Sequence, residues 1–378
     1  MTQSLRIVHC FRSPVGGIFR HVRDLSHAQT AAGHQVGVVC DSSTGGDYEN
    51  RLLGELEPQL ALGVARTPMQ RHIGPGDIVS AFRTFRLIKE LRPDILHGHG
   101  AKGGVYARVF GSLLRVSGSR VARLYSPHGG SLHYDETALT GRFFFLVERL
   151  MDRFSDHILF VSQQEHAMFR RKIGEPNSPY DVVYNGIRAE EFEPVAAGQE
   201  AADFLYIGMM RDLKGPDIFI DALARVQAMA ERPVSAVMVG DGEDRERYMA
   251  QADALGLADQ IHFEAPMPAR QAFARARIVV VPSRAEAMPY IVIEALGAGR
   301  PMIASAVGGI PEIFATAPNA LVEPEAGAIA TKMAEALADE DAYAATMPDR
   351  AFLTANFSAD VMSARIGTIY QDAVARVR

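Results

Sequence analysis

Short β-branched runs, largely apolar, alternate with longer stretches of helical spacing along this whole chain. In the first half the runs are LRIVHC, HQVGVVC, DILHGH, RVARLYS, HILFVS and DVVYN. In the second half they are DFLYIGM, VSAVMVG, QIHFEA, RIVVVPS, PMIAS and ALVEP. A strand with one wet face alternates apolar and polar residues. Most of these runs are apolar on both faces, which implies parallel sheets layered between helices. Between the first two runs Ile18, Val22 and Leu25 recur at helical spacing, and Gly33 offers a stop. The pattern runs through twice, and its halves meet in a polar, Gly- and Ala-rich stretch, residues 185–204. The expected architecture is α/β with two parallel-sheet, Rossmann-like domains, 1–190 and 200–357. A last helix, 358–378, is followed by no strand and is free to join either.

With 378 residues, 48% of them hydrophobic, the chain can bury two cores. The formal net charge of −6 is unevenly spread: residues 1–190 carry +5 and the remainder −11. A basic half suits an anionic surface or acceptor. No Lys/Arg run with interleaved aromatics points to nucleic acid. The two cysteines, Cys10 and Cys40, sit inside strand-like runs and read as buried free thiols. No leader precedes the first strand, and no apolar run approaches the ~20 residues that span a bilayer. The expected compartment is the cytoplasm.

Open α/β sheets bind ligands at the carboxyl ends of their strands, so those loops are the ones to read. In RSPVGGIFRHV, Gly16 and Gly17 suit either an anion held at a helix N-terminus or a plain turn. HGHGAKGG matches G-x-G-x-x-G through Gly98, Gly100 and Gly103. That fingerprint also needs an acid about 20 residues on, and RVARLYSPH has none, so no nicotinamide cofactor is expected. His97 and His99 share one strand face but lack an evident third ligand, and no metal site is expected. In SPHGGSLHY, His128 stands where a loop meets a substrate, or is a structural turn residue. In GMMRDLKGPDIF, Arg211 and Lys214 precede a helix and form an anion site.

The stretch AEAMPYIVIEALGAGRP, residues 285–301, holds two carboxylates in apolar surroundings. Pro289 suits the first position of a helix and Gly299 its end. Glu286 is then in a loop and Glu294 inside the helix. The amides of Tyr290, Ile291 and Val292 lie between them, placed for an anion with one carboxylate to each side.

Taken together these motifs resemble the retaining glycosyltransferases of family four. The resemblance spans nearly the whole chain. Glu286 and Glu294 stand as E-x7-E after Pro282-Ser283, followed by ALGAGRPMIAS and GGIPE. Before them come PVGG, His128-Gly129, Asn185-Gly186-Ile187, Lys214-Gly215 and Gly240-Asp241-Gly242. The resemblance implies a GT-B fold, two facing Rossmann-like domains with the active site in their cleft. The first domain would take the acceptor and the second the nucleotide sugar. Glu286 would hold donor-sugar hydroxyls and Glu294 the ribose. Arg211, Lys214, the Gly16-Gly17 loop and the first amides of the 290 helix would hold the diphosphate. His128 would lie near the reacting sugar. Neither metal nor cofactor is implied.

The reaction implied is retaining hexosyl transfer from a nucleotide diphosphate sugar to a glycan or lipid-linked acceptor, in exopolysaccharide or lipopolysaccharide synthesis. An epimerase or phosphorylase of the same fold, or a non-catalytic nucleotide-sugar binder, is the alternative. Two positions depart from the family. Met209 replaces an Arg, and Met288-Pro289 replaces Phe-Gly, so one backbone donor is lost at Pro289. Finally, GRFFFLVERLMDRF, residues 141–154, reads as a core-facing helix in preference to one lying on a lipid surface, the alternative that would bring peripheral contact with the inner face of the cell membrane.

Overall fold

The computed structural model describes residues 4–69 and 75–377. The chain divides into two compact units, residues 1–185 with 359–378, and residues 186–358. In the first unit the strands are β1 (Arg6–Phe11), β2 (Gln35–Asp41), β3 (Val64–Thr67), β4 (Ile95–His99), β5 (Ala122–Ser126), β6 (His157–Phe160) and β7 (Tyr180–Val182). They form one parallel sheet in the order β3-β2-β1-β4-β5-β6-β7. The second unit holds β8 (Ala202–Ile207), β9 (Ala236–Val239), β10 (Ile261–Glu264), β11 (Ala276–Val281), β12 (Met302–Ser305) and β13 (Leu321–Val322). Its parallel order is β10-β9-β8-β11-β12-β13. Both sheets are therefore Rossmann-like. In each the strand order reverses at one point, β1/β4 and β8/β11, which is where such sheets open a ligand crevice. Only β3 escaped the reading of the sequence.

In the first unit Ile7, Ile95 and Leu124 face the Gly16–Ala31 helix, through Leu25, and the Ala359–Val377 helix, through Met362, Ile366, Tyr370 and Val374. Val8, Cys10 and Leu96 face the opposite way, toward Tyr106, Phe110 and Leu114 of the Gly100–Val116 helix. Burial raises the pKa of both Cys10 and Cys40, the latter to about 12, so neither is a thiolate at neutral pH. The second unit begins and ends at one place, where Ile187 N–H donates to the Phe357 carbonyl at 2.9 Å and Ile187 bridges to Ser358.

The glycines of HGHGAKGG let this second helix press against the sheet. A Cβ on Gly103 would lie 2.2 Å from the Cys10 carbonyl oxygen, and one on Gly98 2.3 Å from that of Gly103. One on Gly104 would meet the Tyr125 ring at 2.3 Å. Close packing of helix on strand accounts for the motif without a dinucleotide.

The Leu139–Asp152 helix does face the core, through Phe145 beside Tyr125, Leu132 and Ile158, but only with one side. Its buried side carries Gly141, Phe145, Glu148 and Asp152. Glu148 accepts from Arg108 at 2.9 Å and from Tyr125 and Ser131 at 3.1 Å, and Asp152 accepts from Asn177. The outer side, running on to Phe154, presents Leu139, Phe143, Leu146, Leu150 and Phe154, each 44–82% exposed. Exposed Arg142, Arg149 and Arg153 stand among them. Polar groups anchor this helix inward because their partners are there, and the apolar stripe is left outside. No helix among the described residues is long and apolar enough to cross a membrane.

Gly103→Ala forces a methyl into β1 backbone that has no flexible end to yield. Overpacking of that kind destabilises by about 1–3 kcal/mol, or several degrees of melting temperature for a unit of this size. A variant that melts with the wild type would show that the helix can shift freely.

Candidate active site

In the second unit three strand-end turns interlock. After β8 the chain passes Met210 and Arg211 into the 3-10 turn Asp212–Lys214, then Gly215 (φ +67°), then the Pro216–Met229 helix. A Cβ on Gly215 would lie 2.2 Å from the Pro282 carbonyl oxygen of the loop after β11. From the other side, a Cβ on Gly308 (φ +56°), in the turn after β12, would lie 1.7 Å from that of Glu286. Gly309 N–H donates to the Ala287 carbonyl at 2.9 Å. The loop carrying Glu286 is thus clamped between two glycine turns. Gly240 and Gly242 seat the turn after β9 just as tightly on Gly208 and Met210.

Glu286 is buried. Its carboxylate accepts from Lys214 Nζ at 2.6 and 2.8 Å and from Ser283 Oγ at 2.7 Å. Lys214 is therefore joined to the carboxylate expected to hold sugar. Arg211 is exposed, and its side chain makes no hydrogen bond or ion pair among the described residues. Two further groups were missed in the sequence. Ser283 sits three residues before Glu286. Arg284 binds Asp217 at 2.8 and 2.5 Å and the Asp212 carbonyl at 2.6 Å, tying the 212–217 turn to the Glu286 loop.

The helix after this loop is Tyr290–Gly297, and Pro289 (φ −76°, ψ 123°) is the extended residue before it, not its first turn. Val292 N–H donates to the Pro289 carbonyl at 3.3 Å, so of the three amides expected to receive an anion, that one is already engaged. Tyr290 is buried and Ile291 partly so; Glu294 is half-buried on the helix itself.

In the first unit Gly16 (φ +69°) and Gly17 lie exposed at the start of the 16-residue Gly16–Ala31 helix, just past the end of β1. His128 follows β5 and adopts φ +50°, one of two non-glycine residues in the left-handed region among those described. That conformation is strained and is held only where the surroundings enforce it. Gly129 N–H donates to Glu165 Oε1 at 2.5 Å, and Glu165 Oε2 accepts from Val161 N–H at 2.8 Å. Buried Glu165 thereby ties the His128 loop to the end of β6.

Around His128 the fold gathers four more histidines: His9 on β1, His21 on the first helix, and His97 and His99 on β4. The pair read from the sequence does have further potential ligands. His9 with His97 and His99, and His21 with His99 and His128, each place ring nitrogens within 4.8 Å of one another. Both nitrogens of His9, His97 and His99 are already hydrogen-bonded, however, so an ion would have to displace those bonds. Burial depresses all five pKa values, to about 4 for His9 and His21 and well below the usual range for the others.

Two family models match, "Glycosyltransferase Family 4" over residues 15–191 and "Glycosyl transferases group 1" over residues 187–351. The chain belongs to this glycosyltransferase family. The two models meet close to the boundary between the two units. A D-inositol 3-phosphate glycosyltransferase of Thermobifida fusca is 27% identical over 244 residues, 58% of this chain and 55% of that one. The chain spans about half the length of the curated relatives it matches. Among solved structures, a sucrose-phosphate synthase from Thermosynechococcus elongatus superposes with a TM-score of 0.76 at 21% identity, covering 98% of this chain and 99% of that one. Anabaena HepE in complex with UDP-glucose gives 0.77 at 19%, covering 97% and 100%. These similarities place the transferase in the GT-B fold.

Two outcomes follow for this glycosyltransferase. Lys214→Met strands a buried carboxylate and lowers stability by about 1–3 kcal/mol; Glu286→Gln, which still accepts from Lys214, lowers it less. Equal melting temperatures for the two variants would dismiss the pair as a structural element. The histidines give the other. Unfolded, each takes a proton near pH 6.5; folded, His9 and His21 resist until about 4. Between those values the unfolded state binds more protons, so stability falls as pH falls, by up to about 1.4 kcal/mol per pH unit per ring. Unfolding midpoints hold steady above pH 7 and drop from 6.5 to 5. A flat midpoint down to pH 5 would mean the rings are not buried neutral.

Proposed function

We propose that the chain transfers a hexosyl group, with retention, from a nucleotide diphosphate sugar to a glycan or lipid-linked acceptor. The observation that carries this reading is the clamped, buried Glu286 with Lys214 and Ser283 upon it, at the strand-end loops beside the β8/β11 switch point. Two of the Lys214 N–H groups serve Glu286 and an ammonium has three, so one remains for a phosphate oxygen. When a nucleoside diphosphate leaves, negative charge grows on its terminal phosphate. Lys214, Arg211, the amides of Tyr290 and Ile291 and those of the Gly16-Gly17 loop are the groups that would meet it. Each well-placed donor is worth about 3 kcal/mol in the transition state. Glu286 would orient sugar hydroxyls, Glu294 the ribose, and His128 would stand beside the sugar. The only buried carboxylate in the Glu286 loop is taken up by Lys214 and Ser283, which favours departure and attack on one face of the sugar over a double displacement. The UDP-glucose in HepE supports a nucleotide sugar as donor.

The acceptor end of the reading rests on the outer face of the Leu139–Asp152 helix. Leucines and phenylalanines in one stripe, with three arginines among them, suit an anionic lipid surface. The chain would then work at the cytoplasmic face of a membrane on lipid-linked acceptors, in surface polysaccharide synthesis.

UDP-, GDP-, ADP- and TDP-glucose are tried first by melting temperature. A donor at 100 times its Kd adds about 2.7 kcal/mol, roughly 5–10 °C for a unit near 190 residues. The product anomer is then read by proton NMR, with the donor configuration kept and turnover lost in Glu286→Ala. An inverted product would overturn retention, and sugar-1-phosphate released only with added phosphate would make the chain a phosphorylase. The chain co-sediments with vesicles rich in phosphatidylglycerol and leaves them after Phe143→Asp with Leu146→Asp. Equal sedimentation of the variant would remove this helix from the membrane reading.

A further inference from the structure

Three of the five histidines form a row that ends on an amide. His128 Nε2 lies 3.1 Å from His99 Nδ1, His99 Nε2 lies 2.9 Å from His9 Nδ1, and His9 Nε2 lies 2.8 Å from Gln29 Oε1. A neutral imidazole carries one N–H and one bare nitrogen. In a row of such rings, fixing one proton fixes them all. An amide oxygen only accepts, so His9 carries its proton on Nε2. Its Nδ1 is then bare and takes the His99 Nε2–H. The bare His99 Nδ1 in turn takes the His128 Nε2–H. What remains at the open end is His128 Nδ1, with no proton and no partner among the described residues. His128 is the one member of the row that is not fully buried.

Everything turns on which end of the Gln29 amide faces His9. The structure turns the amide oxygen to His9, 2.8 Å from its Nε2. The amide nitrogen is buried and has no hydrogen-bond partner among the described residues. A second row joins the Tyr370 hydroxyl, on the last helix, to His97 Nδ1 at 2.6 Å and His97 Nε2 to Ser126 Oγ at 2.9 Å. Were the amide reversed, the first row would reverse with it, and His128 would offer a donor instead of an acceptor.

We propose that Gln29 is a positioning residue which, through His9 and His99, holds His128 in the Nε2-protonated tautomer, so that Nδ1 accepts a hydrogen bond from a hydroxyl of the donor sugar. This rests on the reading above in which His128 stands beside the sugar. No proton travels along the row; its task is to keep one lone pair pointing outward.

The test uses the full chain labelled with 15N-histidine at pH 8, with His128 assigned by loss of its signals in His128→Gln. Wild type shows a protonated Nε2 and a bare Nδ1 at His128. Gln29→Met removes the terminal acceptor, and the His128 signals become those of mixed tautomers. Gln29→Glu, still an acceptor, keeps the wild-type signals, as does Tyr370→Phe, which leaves the first row intact. Turnover is measured with whichever glucose nucleotide of the four raises the melting temperature most. There kcat falls about tenfold in Gln29→Met with KM little changed, and Gln29→Glu restores most of it. A wild-type His128 protonated on Nδ1 overturns the proposal, and that spectrum suffices even if a variant does not fold. So does a Gln29→Met spectrum identical to wild type. A tautomer that answers to Gln29 in a chain that turns over no nucleotide sugar would uphold the ordered row and sink the glycosyl-transfer reading.

Discussion

Backbone touching backbone at the strand ends of the second unit is the constraint on which its chemistry depends. With a Cβ at Gly308 only 1.7 Å from the Glu286 carbonyl oxygen, and one at Gly215 2.2 Å from that of Pro282, three turns share a space that only glycine permits. The Glu286 carboxylate is then fixed from the main chain outward, before any side-chain bond is counted. Lys214 reaches it because Gly215 lets the turn after β8 close to that distance. The family motifs Lys214-Gly215 and GGIPE are thus two sides of one clamp, with Glu286 in its jaws.

The two groups of candidate site residues, one in each unit, bury polarity by opposite means. That of the second unit holds a formal ion pair, Lys214 with Glu286, partly open to solvent. That of the first holds rings kept neutral by burial, and spends their hydrogen-bonding capacity on one another. A buried polar network is tolerable only when its members are satisfied, and neutral imidazoles in sequence satisfy each other two at a time. Charge is suited to meeting a phosphate; ordered neutrality is suited to meeting a hydroxyl.

Most of the sheet was legible because covered strands are written as largely apolar runs. β3 was not, since Val64–Thr67 is short, lies at a sheet edge and contains Arg66. The loops at strand ends were legible too, and with them Glu286, Glu294, Lys214 and His128 as residues to watch. Their partners were not. Lys214 lies 72 positions from Glu286, and His9 lies 90 from His99; pairings across such distances belong to topology, which a local pattern does not carry. The outer side of the Leu139–Asp152 helix went unread for the same reason. Composition marked it apolar, but the partners that draw Glu148 and Asp152 inward come from Arg108, Tyr125, Ser131 and Asn177. Pro289 was placed one residue too far into its helix, because a proline before a helix and one at its first position leave the same mark in a sequence.

The last helix sets the order in which this molecule can be completed. Met362, Ile366, Tyr370 and Val374 close the face formed by Leu5, Ile7, Leu25, Ile95 and Leu124, yet the whole of the second unit is translated between them. As the chain leaves the ribosome, the first sheet waits with that face covered only in part, by the Gly16–Ala31 helix, while 186–358 emerge. The His97 row also lacks Tyr370 until then. The nascent first unit is a sheet with one helix of that layer missing, and the second unit must fold in the presence of the surface it leaves exposed.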